Sequence, residues 1–252
     1  MLRIDGLSRH FGGVYALLGA SIDVRKGEMR GVIGPNGAGK STLFHLISGH
    51  LRADAGTIAL RGDRIDGLSP HRRARLGIAI VFQGARTFRG MTVRENVMVG
   101  AHAWTRHGFL EAALRLPRHR SEEREIRQSA ETALEQVGLS DWAHRPADAL
   151  PLGQQRSMQL ARALCARPAL LLLDEPASGL RSSERETLAR LIGELRRAGL
   201  TMMLIEHDVA FVMRLVDRIT VLDLGRIIAE GTPEEIGRDE RVVAAYLGKA
   251  PS

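Results

Sequence analysis

The sequence of 252 residues contains very little cysteine, lysine or aromatic side chain. Its single cysteine, Cys165, excludes an internal disulfide and a thiolate metal cluster, and its apolar surroundings predict a buried thiol. Lysine occurs only at positions 26, 40 and 249, so the net charge of +7 comes almost wholly from arginine. The arginines are scattered and are not interleaved with aromatic residues. This argues against a nucleic-acid surface and leaves a weak indication of membrane proximity.

Long apolar runs are also missing. The most apolar stretches, such as "LTMMLIEHD", are far shorter than the roughly 20 residues that cross a bilayer. The N-terminal "MLRIDGLSRHF" has no apolar core of the kind that a signal peptide needs. We therefore expect a cytosolic chain that meets a membrane only through a partner. At 44% hydrophobic and 26% charged residues the composition is that of an ordinary globular protein.

A regular alternation of short apolar runs and amphipathic stretches dominates the two ends of the chain. Strands are predicted at "LRIDGL", "ASIDVRKG", "MRGVIG", "GTIALRG" and "GIAIVFQ", with a Gly-Gly turn after the first and a helix at "KSTLFHLISG". Towards the C-terminus, strands "ALLLLD", "LTMMLIE" and "RITVLD" alternate with helices that begin near Gln154 and at Ser182. Such alternation predicts a parallel sheet buried on both faces.

The middle of the chain has a helical pattern instead. It extends from Thr92 to Gly138, with Ser121 expected as a helix N-cap. We therefore predict one domain with two lobes: an α/β core formed by residues 1–88 and 151–252, and a helical subdomain formed by residues from about 89 to 150.

A phosphate-binding loop is the clearest chemical motif. "GPNGAGKST", residues 34–42, fits the pattern G-x-x-x-x-G-K-[S/T] between a predicted strand and a predicted helix. Glycines let the backbone N–H groups of such a loop turn towards an anion, and the following helix adds its positive dipole end. Lys40 is expected to reach the outer phosphates, and Ser41 to offer a hydroxyl to Mg²⁺. The segment is predicted to bind a nucleotide.

Two strand ends supply acidic and basic groups for this nucleotide. "LLLLDEP" ends a strand at Asp174, which places a carboxylate where it can hold a metal ion, and Glu175 follows where it can polarise an attacking water. "IEHD" ends another strand, and His207 is a candidate hydrogen-bond donor to a γ-phosphate. Taken alone, each would also fit a solvated turn or a structural histidine.

The order of "GPNGAGKST", "IVFQ", "LGQQR", "LLLLDEP" and "EHD" resembles the ATP-binding subunit of an ABC transporter over essentially the whole chain. More narrowly, "FGGVYAL", "FQGARTFRGMTVRENVMVG" and "GTPEEIGRDERVVAAYLG" resemble the ATPase subunits of branched-chain amino acid importers. The resemblance implies an α/β P-loop NTPase fold with a mixed central sheet, an antiparallel β subdomain and a helical subdomain. It also implies ATP and Mg²⁺ as cofactors.

Roles for individual residues follow from the same resemblance. Phe11 would stack on adenine, although a core aromatic is the alternative. Gln83 would sense the metal and the attacking water, and the segment after it would face a membrane partner. Glu175 would be the general base and His207 the switch histidine. The nucleotide-binding set would comprise Phe11, Asn36, Gly37, Ala38, Gly39, Lys40, Ser41, Thr42, Pro151, Gly153 and Gln154; the metal set would comprise Ser41, Gln83 and Asp174.

Family members work as dimers that hold ATP between one chain's phosphate loop and the other chain's signature motif. The resemblance therefore implies transmembrane permease subunits, a second ATPase subunit and, indirectly, a substrate-binding protein as partners, with no nucleic acid. The chain would lie on the inner face of the cell membrane. Its cargo is open: branched-chain amino acids follow from resemblance alone, and urea, amides or aromatic compounds fit equally well.

The signature motif departs from the family pattern. Leu-Ser-x-Gly-Gln is usual, and this chain has Leu150, Pro151, Leu152, Gly153 and Gln154. Proline is tolerated in the first turn of a helix, but the serine hydroxyl and one backbone N–H donor are lost. Arg181 is a second departure at a position where Asp or Asn is usual, with neutral drift as the alternative. We expect a heterodimer in which the site served by Pro151 is weakened; in a homodimer both sites would be weak.

Three other function classes fit parts of this pattern. A lipid or lipopolysaccharide exporter ATPase has a similar size. A non-transport ABC ATPase usually carries two fused ATPase halves or a long coiled-coil insertion, and the sequence has neither. A kinase or GTPase with the same phosphate loop would lack the signature helix and the strand that ends at His207. The sequence therefore favours the energising subunit of an amino-acid importer.

Overall fold

The computed structural model describes residues 1–84, 87–105 and 117–247, with the side chains of residues 117–120 and 247 outside that description. Residues 85–86, which belong to the segment expected to face a membrane partner, lie outside it. So do residues 106–116 of the predicted helical subdomain, Gly248 of the C-terminal stretch and Lys249.

In chain order the described strands are β1 Leu2–Phe11, β2 Val14–Val24, β3 Met29–Ile33, β4 Ala55–Leu60, β5 Asp63–Arg64, β6 Ile78–Val81, β7 Leu170–Asp174, β8 Thr201–Ile205, β9 Arg218–Asp223 and β10 Arg226–Gly231. A six-stranded mixed sheet forms the centre of the molecule, in the strand order β10-β9-β3-β8-β7-β6. Neighbouring strands from β9 to β6 are parallel, and β10 is antiparallel to β9. The strands Met29–Ile33, Leu170–Asp174 and Thr201–Ile205 are buried at every residue, because helices cover both faces. The parallel sheet predicted from the alternation is confirmed, with an antiparallel edge strand added.

A four-stranded antiparallel sheet, in the order β2-β1-β4-β5, is built from the N-terminal part of the chain. Its first two strands form a hairpin that turns at Gly12 and Gly13, both with positive φ. The apolar residues Leu2, Ile4 and Leu7 on the first strand are buried against a cluster that also contains Phe44 of the first helix. The predicted strands are present, and the first is longer than expected.

The helix Leu152–Cys165 lies between two apolar clusters. Its residues Met158 and Cys165 belong to the cluster of the helical region, together with Val97 and Leu134. Its residue Leu160 belongs to the cluster under the central sheet. Cys165 is fully buried, and burial raises the pKa of its thiol. The helix is thus shared by both parts, and the division at residue 150 stays a prediction.

Several local expectations need correction. The prediction that Ser121 caps a helix is wrong, because the helix begins at Pro117 and proline suits the first turn. The helix expected near Gln154 begins at Leu152, with Pro151 as its N-cap. The strand Arg226–Gly231 and the helix Pro70–Arg75 have no counterpart in the sequence prediction. Both are only six residues long, which is too short for a clear apolar period.

None of the helices in the described part of the chain is both long and apolar enough to cross a membrane. The α-helices are α1 Lys40–Ser48, α2 Pro70–Arg75, α3 Val93–Met98, α4 Pro117–Gln136, α5 Leu152–Cys165, α6 Ser182–Arg197, α7 Val209–Leu215, α8 Pro233–Gly237 and α9 Glu240–Leu247.

Candidate nucleotide-binding site

The phosphate loop connects the buried strand β3 to helix α1, and two of its glycines are required by close backbone contacts. A Cβ on Gly34 would lie 2.0 Å from the carbonyl oxygen of Leu222, and a Cβ on Gly39 would lie 2.2 Å from that of Ala16. Both glycines also have positive φ, which L side chains rarely adopt. The loop conformation therefore depends on glycine at these positions for reasons of space as well as of backbone freedom.

Residues 36–42 line an open cavity of about 350 Å³ together with Ala16, Glu175 and His207. Lys40 is buried, and its Nζ donates hydrogen bonds to the carbonyl oxygens of Gly34 at 2.7 Å and Pro35 at 3.0 Å. Ser41 is exposed at the start of α1. The structure thus gathers Asn36 to Thr42 around one cavity at a helix N-terminus, the arrangement that favours a phosphate group.

Asp174 and Glu175 stand at the carboxyl end of β7, beside this cavity. Asp174 is only 7% exposed. Burial raises the pKa of its carboxyl, the neighbouring carboxylate of Glu175 raises it further, and His45, Lys40 and His207 act in the opposite direction. Two adjacent buried carboxylates attract a cation, because a positive charge between them relieves their repulsion.

Glu175 has a positive φ of 48°. Such a conformation costs a non-glycine residue of the order of 1–3 kcal/mol and is concentrated at functional sites. Its N–H donates to the carbonyl oxygen of Ile205 at 2.9 Å, which fixes the residue against the end of the neighbouring strand. This hydrogen bond holds Glu175 in its strained conformation, and in that conformation the residue lines the phosphate cavity.

Gln83 and His207 hold the two oxygens of the Glu175 carboxylate. Nε2 of Gln83 donates to Oε2 at 2.5 Å, and Nε2 of His207 lies 2.5 Å from Oε1. The three residues follow β6, β7 and β8, which are adjacent in the sheet, so their carboxyl ends meet at one edge. This arrangement orients a carboxylate for proton transfer and brings residues from three of the sequence motifs together.

Four other predicted residues lie elsewhere. Phe11, at the end of β1, is 46% exposed, and the Arg9 guanidinium stacks 4.8 Å from its ring centroid. Pro151, Gly153 and Gln154 line a separate recess of about 290 Å³ beside helix α6. Within the described part of the chain none of the four borders the phosphate cavity. Their roles in nucleotide binding stay predictions that need a second chain or a bound nucleotide.

Pro151 is exposed and lacks a side-chain acceptor for the first N–H groups of helix α5. Its φ of −56° and ψ of 156° are those that an ordinary N-cap residue adopts. Glycine is needed at position 153, because a Cβ there would approach Oε1 of Glu184 to 2.7 Å. The helix forms despite the proline, as expected.

Three polar residues around the site had no assigned role in the sequence. Arg156 donates to the carbonyl oxygens of Gln83 and, at 3.1 Å, Ser178. Gln159 donates to the carbonyl oxygen of Gly84 at 2.8 Å. Oε1 of Glu206 accepts from the N–H of Ala177 at 2.8 Å. The only sequence signal for the first two is their spacing of three, which puts both on one face of a helix.

The donor set fits Mg²⁺. A serine hydroxyl, an aspartate carboxylate and a glutamine amide oxygen are the hard oxygen ligands that Mg²⁺ prefers. Burial first, and the neighbouring Glu175 carboxylate second, raise the pKa of Asp174, so a cation bound here would favour its ionised form. Among the described residues no group of three or more His, Cys, Asp and Glu side chains can hold a metal ion by itself.

Comparisons with known proteins agree with this geometry. A family described as "ABC transporter" matches residues 17–178, and one described as "Branched-chain amino acid ATP-binding cassette transporter" matches residues 226–251. The chain is 41% identical to the high-affinity branched-chain amino acid transport ATP-binding protein BraF of Pseudomonas aeruginosa, over 99% of this chain and 98% of that protein. It is 42% identical to LivG, of the same description, from Salmonella typhimurium, with the same coverage.

A solved structure has the same fold. The ADP conformation of MJ1267, an ATP-binding cassette of an ABC transporter, superimposes with a TM-score of 0.85. The two chains are 32% identical, and the alignment covers 99% of each.

Proposed function

Since the chain belongs to the ABC transporter family of ATP-binding proteins, we propose that it energises a membrane importer for branched-chain or related amino acids. Proteins of this family are ATPases, so ATP is the nucleotide and its hydrolysis is the reaction. The observation that carries the importer proposal is the match of residues 226–251 to a branched-chain amino acid cassette, beside full-length similarity to BraF and LivG. Similarity to an exporter ATPase, the lipopolysaccharide export system ATP-binding protein LptB of Haemophilus influenzae, is lower, at 32% identity over 99% of this chain.

The residues around the cavity have different roles in the proposed hydrolysis. Lys40 and the backbone N–H groups of residues 36–42 bind the phosphates and neutralise their charge. The Glu175 carboxylate accepts a proton from the attacking water. At the same time the water oxygen bonds to the γ-phosphorus, and the bond between that phosphorus and the bridging oxygen of ADP breaks. Gln83 and His207 orient that carboxylate. His207 also lines the phosphate cavity, and it is proposed to donate to the γ-phosphate of bound ATP.

Ser41, Asp174 and Gln83 would hold Mg²⁺. When bound, the ion supplies charge neutralisation to the β- and γ-phosphate oxygens. The Asp174 carboxylate would offer its negative charge to the ion.

The active form is proposed to be a dimer with ATP at the interface. Residues 36–42 and the recess at Pro151 are separate surfaces of one chain, so one chain alone supplies only one side of each nucleotide site. In a dimer, the helix N-terminus at Pro151 would complete the site on the other chain's phosphate loop. A heterodimer with a second ATPase is favoured here. In such a dimer Pro151 would weaken only the nucleotide site on the partner's phosphate loop. The site on this chain's phosphate loop would be completed by an intact signature motif of the partner.

The permease subunits are proposed to dock at the apolar groove beside β6. This groove of about 470 Å³ lies along the edge strand of the central sheet and is lined by Ile78–Phe82, Phe88, Gly100 and Ala163 among others. Phe88 is 46% exposed there. An apolar groove of this size at a sheet edge suits an amphipathic helix from a partner. The chain would then be peripheral on the inner face of the cell membrane.

Affinity purification tests this proposal. The chain is tagged in its native cell, the membranes are solubilised gently, and the proteins that co-purify in stoichiometric amounts are identified. We expect two polytopic membrane proteins and a second, different ATPase to co-purify with the chain. In a separate assay, cells that lack the chain are expected to take up less radiolabelled leucine, isoleucine and valine. Recovery from the soluble fraction alone, as a homodimer and with uptake unchanged, would contradict the importer proposal and leave the ATPase assignment in place.

A further inference from the structure

Arg156 connects two loops that lie on either side of Glu175. Its guanidinium projects from helix α5, is 7% exposed, and donates one hydrogen bond to the main-chain carbonyl of Gln83. It donates another to the main-chain carbonyl of Ser178 at 3.1 Å. Gln83 begins the loop after β6, and Ser178 belongs to the loop after β7, so one side chain spans both strand ends.

Both contacts lead directly to the Glu175 residue. The side chain of Gln83 donates to the Glu175 carboxylate, and the N–H of Ser178 donates to the Glu175 carbonyl oxygen at 3.1 Å. The Arg156 guanidinium is therefore connected to Glu175 through one intervening residue on each side: Gln83 on one side and Ser178 on the other. Arg156 touches neither the phosphate cavity nor Glu175 itself.

Burial of the charged Arg156 guanidinium costs free energy. Burial lowers the pKa of its guanidinium, and only the more distant Glu206 opposes this effect. No carboxylate in the described part of the chain forms an ion pair with it. A buried guanidinium that has only carbonyl partners contributes little net stability, because desolvation offsets much of its hydrogen bonding. What the arrangement does supply is a rigid, planar donor pair at a fixed spacing.

Resting on the proposed function, we infer that Arg156 is a positioning residue for ATP hydrolysis: it fixes the Gln83 loop and the Ser178 loop at the spacing that orients the Glu175 carboxylate. Gln159, one turn further along the same helix, supports the first loop through the carbonyl of Gly84. Glu206 supports the second through the N–H of Ala177. Helix α5 thus connects to the Glu175 carboxylate indirectly, through Arg156 and Gln83.

The test is the steady-state ATPase activity, with Mg²⁺ and ATP, of the full chain assembled with its partner ATPase and permease subunits, measured for wild type, Arg156→Gln and Arg156→Lys. Arg156→Gln is expected to lower kcat roughly ten- to a hundredfold, because small misplacements of a catalytic group cost about that much. The KM for ATP is expected to stay within about twofold, since Arg156 lines no part of the phosphate cavity. Lysine keeps one donor and the charge but loses the planar fork, so Arg156→Lys is expected to recover part of kcat.

A double-mutant cycle with Gln83→Ala separates positioning from a merely structural role. If Arg156 acts through Gln83, adding Arg156→Gln to Gln83→Ala slows the enzyme by much less than it slows wild type. The matched control is Arg196→Gln, because Arg196 also bridges a main-chain carbonyl, that of Leu215, to a second acceptor far from the site. The control is expected to keep wild-type kcat. A kcat within twofold of wild type in folded Arg156→Gln and Arg156→Lys, or fully additive effects in the cycle, would overturn the inference. Absence of hydrolysis by the wild-type chain when it is assembled with its partner ATPase and permease subunits would instead overturn the proposed function.

Discussion

Replacing Pro151 by serine should accelerate ATP turnover by the assembled complex. The structure places Pro151 at the N-cap of helix α5, exposed, with the backbone angles that serine adopts at an N-cap. Removing the ring therefore opens no cavity and needs no rearrangement. Serine restores one backbone N–H and one hydroxyl at the helix N-terminus that is proposed to face the partner's ATP.

The size of the effect follows from the lost contact. A hydrogen bond to a charged group contributes about 1.5–3 kcal/mol, which corresponds to roughly ten- to a hundredfold in rate if it is fully made in the transition state. Folding stability should change little. A serine N-cap stabilises a helix by about 0.5–2 kcal/mol, and loss of proline costs about 0.4–1 kcal/mol through the unfolded chain.

The assay is ATP hydrolysis by the reconstituted complex of this chain, its partner ATPase and the permease subunits. Pro151→Ala is the matched control, because alanine restores the N–H without the hydroxyl. We expect turnover in the order serine, alanine, proline, with melting temperatures within a few degrees of one another. Turnover that is equal in all three complexes would refute the reasoning that Pro151 weakens a nucleotide site.

Three further predictions concern residues away from the signature motif. Burial raises the pKa of Glu206 above its ordinary value of 4.5. The folded chain therefore binds this proton more tightly than the unfolded chain, and it loses stability as the pH rises from 4.5 through the folded pKa. In urea titrations the advantage of Glu206→Gln over wild type should grow as the pH rises above 4.5, and a difference that stays constant with pH would contradict this. Alkylation of Cys165 by iodoacetamide should require unfolding, because the thiol is buried and its pKa is raised; rapid modification of the native chain would show that it is accessible. Arg73→Leu should lower the free energy of unfolding by at least about 3 kcal/mol, because four carbonyl oxygens lose their donor; an unchanged urea midpoint would count against this.

The parts of the site that are local in sequence could be predicted from it. The phosphate loop is one continuous segment, and its glycines, lysine and serine have their roles within nine residues. The strands that end at Asp174 and His207 are continuous apolar runs, and parallel strands bring their carboxyl ends to one edge. The family resemblance rests on the same segments, so the sequence predicted both the fold and these site residues from them.

The parts that depend on pairing register or on helix packing could not be predicted. The register that sets Asp174 opposite Ile205 places Glu175 between Gln83 and His207, and no single segment encodes that spacing. Arg156 stood within a recognised motif, yet its contacts lie 73 and 22 positions away along the chain. The edge strand Arg226–Gly231 is short and half exposed, so neither its period nor its hydropathy distinguishes it from a turn.

The most direct test of the account is a comparison of ATP binding and ATP hydrolysis in three forms of the full chain: wild type, Lys40→Ala and Glu175→Gln. Glu175→Gln should bind ATP as wild type does and hydrolyse it at least about a hundredfold more slowly, because it removes the proton acceptor and leaves the phosphate loop intact. Lys40→Ala should lose binding itself. Hydrolysis by Glu175→Gln at the wild-type rate would contradict the central claim that the carboxylate held between Gln83 and His207 performs the chemistry.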